Sequence, residues 1–205
     1  VMNSDINKLF IVPLAELFDS ELYDVLSLLI APDKKSKLDN YKSDIDKKLG
    51  LYADLLLRIA IHQDLNIENS DIKLSTNSYG KPFLKNNQDY HFNISHTHNM
   101  IAVAISSNPV GVDVERTREI DTGIAKRFFT KREQNYIEKS QDDLYERFFE
   151  IWTKKEAYIK CTGKGLSVPL DSFDVTGKSL SERFYTVGDG KYIINMCGAE
   201  ENIAP

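Results

Sequence analysis

Asp113 and Glu115 stand two apart in Val110-Gly111-Val112-Asp113-Val114-Glu115, where valines alternate with other residues. A period of two predicts a strand, which turns residues two apart to one face. Two carboxylates side by side repel unless a cation lies between them. A hard ion such as Mg²⁺ would supply that charge, combining one or two protein carboxylates with phosphate oxygens and water. The competing reading is a solvent-facing strand whose acids pair with Arg116 or Arg118. Further along, Trp152, Glu156 and Lys160 recur every fourth residue. On a helix they stack along one face, as the wall of a site or as a surface Glu–Lys pair beside a core tryptophan. Ser95-His96 closes an alternating run. An imidazole beside the N–H groups of a tight loop can hold a phosphate, although a histidine at a strand end also serves as a plain structural residue.

Other chemistries find no support. There is no G-x-S-x-G elbow for a serine nucleophile and no Gly-rich phosphate loop. The glycines of Lys160-Cys161-Thr162-Gly163-Lys164-Gly165 follow a helical run rather than open one. Cys161 and Cys197 have no C-x-x-C context, so two reduced, inert thiols in a cytoplasmic protein are expected.

The elements that must carry these residues follow from periodicity and punctuation. Helical spacing runs from Leu14 to Ile30, with a break near Asp19-Ser20 and a stop at Pro32. A basic stretch follows, Lys34 to Lys48, interleaved with aspartates as on a solvated helix face. Ser43-Asp44 caps a helix to about Gln63 that turns Leu49, Tyr52, Ala53, Leu56, Ile59 and Ala60 inward. Strands are expected at Ile72–Ser75, His91–Ser95, Met100–Ser106 and Val110–Glu115, with turns at Tyr79-Gly80-Lys81-Pro82 and Asn108-Pro109. Helices return over Asp121–Ser140, broken near Thr130, and over Asp142–Lys160. Short strands close the chain at Phe173–Val175, Arg183–Val187 and Tyr192–Cys197. Helices then strands, twice over, predict an α+β fold of two similar lobes, residues 1–107 and 108–205.

A length of 205 residues allows one large or two small domains. A net charge of −5 argues against a dedicated nucleic-acid binder, and the count hides a local excess of four lysines over one glutamate from Trp152 to Lys164. Leu26–Ala31 and Leu55–Ile61, the longest apolar runs, are far short of the ~20 residues of a membrane span. Val1–Asp5 lacks the basic-then-apolar pattern of a signal peptide.

Taken in order, these segments resemble a known family. Tyr79-Gly80-Lys81-Pro82, Phe92-Asn93-Ile94-Ser95-His96, Gly111-Val112-Asp113-Val114-Glu115, Phe128-Phe129 and Trp152-Thr153-Lys154-Lys155-Glu156-Ala157, with Lys160, Gly163, Gly165 and Leu166, are similar to the 4′-phosphopantetheinyl transferases of the long, monomeric class that activates surfactin-type synthetases. The resemblance implies two α/β lobes related by a pseudo-two-fold axis, with one shared site at their interface. It implies transfer of phosphopantetheine from coenzyme A to a carrier-protein serine, with Mg²⁺ or Mn²⁺, releasing adenosine 3′,5′-bisphosphate. Asp113, Glu115 and Glu156 match the metal carboxylates. Glu156 also matches the base, and Lys160, with Lys155, lies against the pyrophosphate. Lys81 and Pro82 match the adenine-side turn; Ser95 and His96, with Lys34 and Lys37, match the phosphate contacts, and Lys48 falls near a further basic contact. Ile120–Tyr136 matches the carrier-facing segment, and Arg116, Arg118, Lys126 and Arg127, in and just before it, suit an acidic carrier protein. A non-catalytic coenzyme A- or nucleotide-binding regulator and a Mg²⁺-dependent phosphodiesterase are the alternatives. No nucleic acid and no membrane are expected as partners.

Overall fold

The computed structural model describes residues 7–15, 17–139, 141–181 and 183–198. Strand β1 (Asn7–Pro13) is followed by α1 (Ser20–Leu26), which Asp19 caps by accepting the Leu22 N–H at 3.0 Å. Pro32 occupies the first turn of α2 (Pro32–Asp39), where a missing N–H costs nothing. Ser43 caps α3 (Asp44–Leu65), and Asn66 closes it in the left-handed conformation. Two short strands, β2 (Leu74–Thr76) and β3 (Pro82–Leu84), form a hairpin. Then come β4 (His91–Thr97), β5 (Met100–Ser106) and β6 (Val110–Arg116). A capping box at Thr130, in which Glu133 closes the ring, separates α4 (Gly123–Phe128) from α5 (Lys131–Ile137). Helix α6 (Leu144–Thr162) ends on left-handed Gly163. A single turn, α7 (Lys178–Ser181), leads to β7 (Phe184–Gly188) and β8 (Tyr192–Gly198).

Two antiparallel three-stranded sheets share one plan. The first has the order β1-β5-β4 and the second β6-β8-β7. In each, a strand leads to a long helix and then a hairpin, and the last strand of the hairpin takes the centre. The strands of β5 show how the layers stack. Ile101, Val103 and Ile105 pack with Leu49, Leu57 and Ile61 of α3. Ala102 and Ala104, on the opposite face, meet Val110, Val112 and Val114 of β6 and Ile194 and Met196 of β8. Alanines on that face let the two sheets approach closely.

Three expectations need correction. The run from Leu14 does not bury one continuous face: Tyr23 is buried beside Phe18 and Leu26, whereas Leu17 is 86% exposed and Val25 and Leu28 also point outward. Ile59 likewise lies on the outer face of α3. The segment Phe173–Val175 is not a strand. The Asp174 carboxylate accepts the Thr176 N–H at 2.7 Å and the Thr176 hydroxyl at 2.6 Å, and this local turn displaces a ladder. The described residues hold no helix long and apolar enough to cross a membrane.

Candidate active site

Gly111 decides how the site is assembled. A Cβ there would stand 2.0 Å from the Ala157 carbonyl oxygen and 2.3 Å from the Cys161 nitrogen. Only a residue without a side chain lets α6 lie this close on β6. The contact sets Glu156 and Lys160, on the helix, against Asp113, two residues beyond Gly111 on the strand. The Lys160 ammonium reaches Asp113 Oδ1 at 2.6 Å and the Ser95 hydroxyl at 3.1 Å. Ser95 donates to Asp113 Oδ1 at 2.8 Å.

Ser95 belongs to the other sheet, so the site straddles the seam between the two. Where β4 runs beside β6, side chains replace a backbone ladder. Val112 N–H donates to Asn93 Oδ1 at 2.8 Å, and Val114 N–H to Ser95 Oγ at 3.3 Å. Asn93 thus has a structural task that its place in the Phe92–His96 run did not disclose.

The carboxylates are balanced differently. Asp113 is buried, and its Oδ2 has no hydrogen-bond partner among the described residues. Glu115 holds Arg118 at 3.1 Å, the surface pair that the competing reading expects. Burial, then the charges of Asp113 and Glu115, push the Glu156 carboxyl above its ordinary value, while Lys160 opposes them. Three acids therefore feel one another, although no three described His, Cys, Asp or Glu side chains converge tightly enough to cage a metal unaided. An unpartnered buried carboxylate oxygen next to further carboxylates fits a hard divalent cation that completes its shell with phosphate and water.

A cavity of about 960 Å³ opens on the first-sheet side of the seam. Lys34 and Lys37 of α2, Gly80 and Pro82 of the β2–β3 turn, and Phe92 and Ile94 of β4 line it. So do Asp54 and Arg58, a buried pair 2.6 Å apart that periodicity alone assigned no part. Burial lowers the Lys34 pKa, with Asp54 pulling it back up. His96 stands exposed at the end of β4 beside Ser43 and Asp46. Partial desolvation of its ring and the nearby Lys34 charge lower its pKa.

Three expected ligand lysines are engaged elsewhere. The Lys48 ammonium donates to the Ala15 and Leu17 carbonyls, at 2.8 Å for Leu17, and is buried in tying down the segment before α1. Lys155 is fully buried on the opposite face of α6 from Lys160's partners. It pairs with Glu133 at 2.8 Å and donates to the Leu170 and Phe173 carbonyls at 2.6 and 2.7 Å. Adjacent positions on a helix diverge by about 100°, so Lys155 turns to Glu133 in the interior while Glu156 turns towards Asp113. Lys81 donates to the Val110 and Cys161 carbonyls at 2.9 and 3.2 Å. Pro82 alone of the Lys81-Pro82 pair lines the large cavity. Leu166 lies where side chains are outside the described set.

The family model described as "4'-phosphopantetheinyl transferase, N-terminal" matches residues 19–108, and that of the "4'-phosphopantetheinyl transferase superfamily" matches residues 109–198. The chain is 39% identical over 167 residues to the 4′-phosphopantetheinyl transferase gsp of Aneurinibacillus migulanus, an alignment covering 81% of this chain and 70% of that relative. The chain belongs to the 4′-phosphopantetheinyl transferases. It is also 42% identical over 147 residues to the 4′-phosphopantetheinyl transferase Sfp of Bacillus subtilis (strain 168), covering 71% of this chain and 66% of the relative. It thus spans about two thirds of the length of these transferases. A further relative, 30% identical over 164 residues, is the L-aminoadipate-semialdehyde dehydrogenase-phosphopantetheinyl transferase of Mus musculus; the match covers 72% of this chain and 53% of that one.

Proposed function

We propose that this chain moves 4′-phosphopantetheine from coenzyme A to a serine hydroxyl of an apo carrier protein. The observation that carries the reading is the convergence of Ser95, Asp113, Glu156 and Lys160 at the seam, beside a large basic cavity. The cavity's size and its lysines suit a nucleotide, and the 3′-phosphate is assigned to Lys34, Lys37 and His96. Gly80 and Pro82 offer backbone and an apolar ring to the adenine.

In the reaction the serine oxygen forms a bond to the β-phosphorus of the coenzyme A pyrophosphate. The bond from that phosphorus to the bridging oxygen breaks, and adenosine 3′,5′-bisphosphate departs with the electron pair. Glu156 is placed to accept the serine proton, and the Lys160 ammonium stabilises the charge that gathers on the pyrophosphate. Asp113, Glu115 and Glu156 are the residues that would hold Mg²⁺, or Mn²⁺ in its stead, and the bound ion supplies positive charge at the pyrophosphate oxygens.

The carrier is assigned to the segment Ile120–Tyr136. Phe129 of that segment is buried, whereas Ile124 and Phe128 are exposed beside Lys126 and Arg127. An apolar pair rimmed by cations suits an acidic helical partner. The net charge of −5 and the two free, buried cysteines fit a cytoplasmic protein without a nucleic-acid partner, and the resemblance to the long class of transferases supports a monomer. The test is incubation with coenzyme A, Mg²⁺ and several apo carrier proteins. A carrier mass gain of one phosphopantetheine is expected, and no gain on any of them sinks the reading; release of the bisphosphate without an acceptor would instead favour a phosphodiesterase.

A further inference from the structure

The turn between β2 and β3 has two faces. Gly80, with Ser75 and Thr76 leading into the turn, lines the large cavity, and Pro82 lies between that cavity and a smaller one. The side chains of Asn77 and Lys81 point the other way, into the smaller cavity, shared with Pro109, Cys161, Thr162 and Gly163 of the second lobe.

Asn77 builds the turn and ties it down with one amide. Its Oδ1 accepts the N–H groups of Tyr79 and Lys81, both at 2.9 Å, which fixes the turn's shape. Its Nδ2 donates to the Gly163 carbonyl at 2.9 Å, across the seam. Lys81 grips two elements at once: the Val110 carbonyl, where β6 starts, and the Cys161 carbonyl, in the last turn of α6. Helix ends leave their final carbonyls without partners and carry partial negative charge, so an ammonium and an amide there are favourable. The fit is tight: a Cβ on Gly163 would stand 3.2 Å from Lys81 Cδ and 3.4 Å from Asn77 Nδ2. The two elements so held are the ones that carry Asp113, on β6, and Glu156 and Lys160, on α6.

We propose that Asn77 and Lys81 are positioning residues, a clasp through which filling of the nucleotide cavity fixes β6 and α6 in their working arrangement. The inference rests on the transferase reading, since it requires a ligand in that cavity. A nucleotide seated on Gly80 and Pro82 stiffens the turn. Lys81 passes that order to Cys161, the residue after Lys160, and Asn77 passes it to Gly163, which closes α6. Neither side chain lines the large cavity, so loss of the clasp should weaken turnover more than binding.

The experiment compares the full chain with Asn77→Asp, Lys81→Met and Lys81→Arg. Aspartate keeps the acceptor for Tyr79 and Lys81 but loses the donor to Gly163, so the turn survives without the cross-seam bond. Arginine retains donors for both carbonyls. Two quantities are read: coenzyme A affinity against kcat, and the protection from hydrogen exchange that coenzyme A confers on amides Ile159–Gly163. In the unaltered chain, coenzyme A should protect those amides. Asn77→Asp and Lys81→Met should lower kcat about tenfold or more, shift coenzyme A affinity less than about threefold, and lose the protection. Lys81→Arg should recover most of both. Should Lys81→Met fail to fold, Asn77→Asp alone decides the matter. Equal protection and equal kcat in Asn77→Asp and the unaltered chain overturn the clasp while leaving the transferase intact. Loss of affinity in step with kcat also overturns it, because the turn would then act only as a binding wall. An unaltered chain that binds no coenzyme A overturns the functional reading and the clasp together.

Discussion

The Lys160 ammonium lies 2.6 Å from Asp113 Oδ1, while Oδ2 of the same carboxylate is buried without a hydrogen-bond partner among the described residues. One oxygen is thus held by a helix cation and the other is left for a ligand. Removing the carboxylate as Asp113→Ala should abolish transfer, by at least about a hundredfold, because both functions vanish together. Asp113→Asn retains the shape and a hydrogen-bond acceptor for Lys160, yet should be almost as inactive because it lacks the charge. The check is the initial rate of carrier mass gain alongside circular dichroism. An active, folded Asp113→Asn would show that the carboxylate charge is dispensable.

Gly111→Ala tests whether the approach of α6 to β6 creates the site. The added methyl would fall 2.0 Å from a backbone carbonyl, which cannot rotate away as a side-chain tip can. Forced repacking of this kind costs about 1–3 kcal/mol or more. The variant should melt lower by several degrees and lose activity even where it remains folded. Unchanged melting would mean that α6 can shift away from β6 at no cost.

Much of this was legible in the sequence because its signals are local. The break at Thr130 follows from its own capping chemistry, and the alternation of Val110, Val112 and Val114 set the inward face of β6. Ser95, Asp113 and Lys160, from three separate motifs, come into contact, and Glu156 feels the charges of Asp113 and Lys160. What escaped depends on partners distant in the chain. Lys48, Lys81 and Lys155 are lysines like any other until Leu17, Cys161 and Leu170 are brought to their ammonium groups. Strand β1 has no local signature for a similar reason: its face is decided by pairing with β5, as Asn7 opposite Ser106, 99 residues on, shows.

Glu133 and Lys155 form a buried ion pair whose task is structural. Glu133 Oε1 accepts the Val175 N–H at 2.9 Å and Oε2 accepts the Thr130 N–H at 2.8 Å, so the carboxylate joins the start of α5 to the segment after α6. Burial pushes the Lys155 ammonium below its ordinary pKa, and Glu133 restores part of it. Glu133→Gln would leave that charge unpaired in the interior and should cost about 3–5 kcal/mol of stability. The KM for coenzyme A should stay within about twofold in whatever fraction folds, since neither residue lines the cavity. A large rise in KM with little loss of stability would return Lys155 to the ligand.

His91 should make the fold sensitive to mild acid. It opens β4, half-buried, and burial followed by the charge of Lys81 lowers its pKa, with Asp89 opposing. An unfolded histidine titrates near about 6.5. As pH falls below that value the unfolded chain takes up a proton that the folded chain still refuses, so unfolding is favoured. Stability is therefore full above about pH 6.5, declines as pH drops towards the lower folded pKa, and flattens beneath it. His96, lowered in the same direction, adds to the slope. Replacing His91 by glutamine removes its share, so the stability of His91→Gln should vary less between pH 7 and 5 (about the window in which histidine titrates). Denaturant midpoints measured across that window decide it: an identical slope in His91→Gln and the unaltered chain would mean the imidazole titrates alike folded and unfolded.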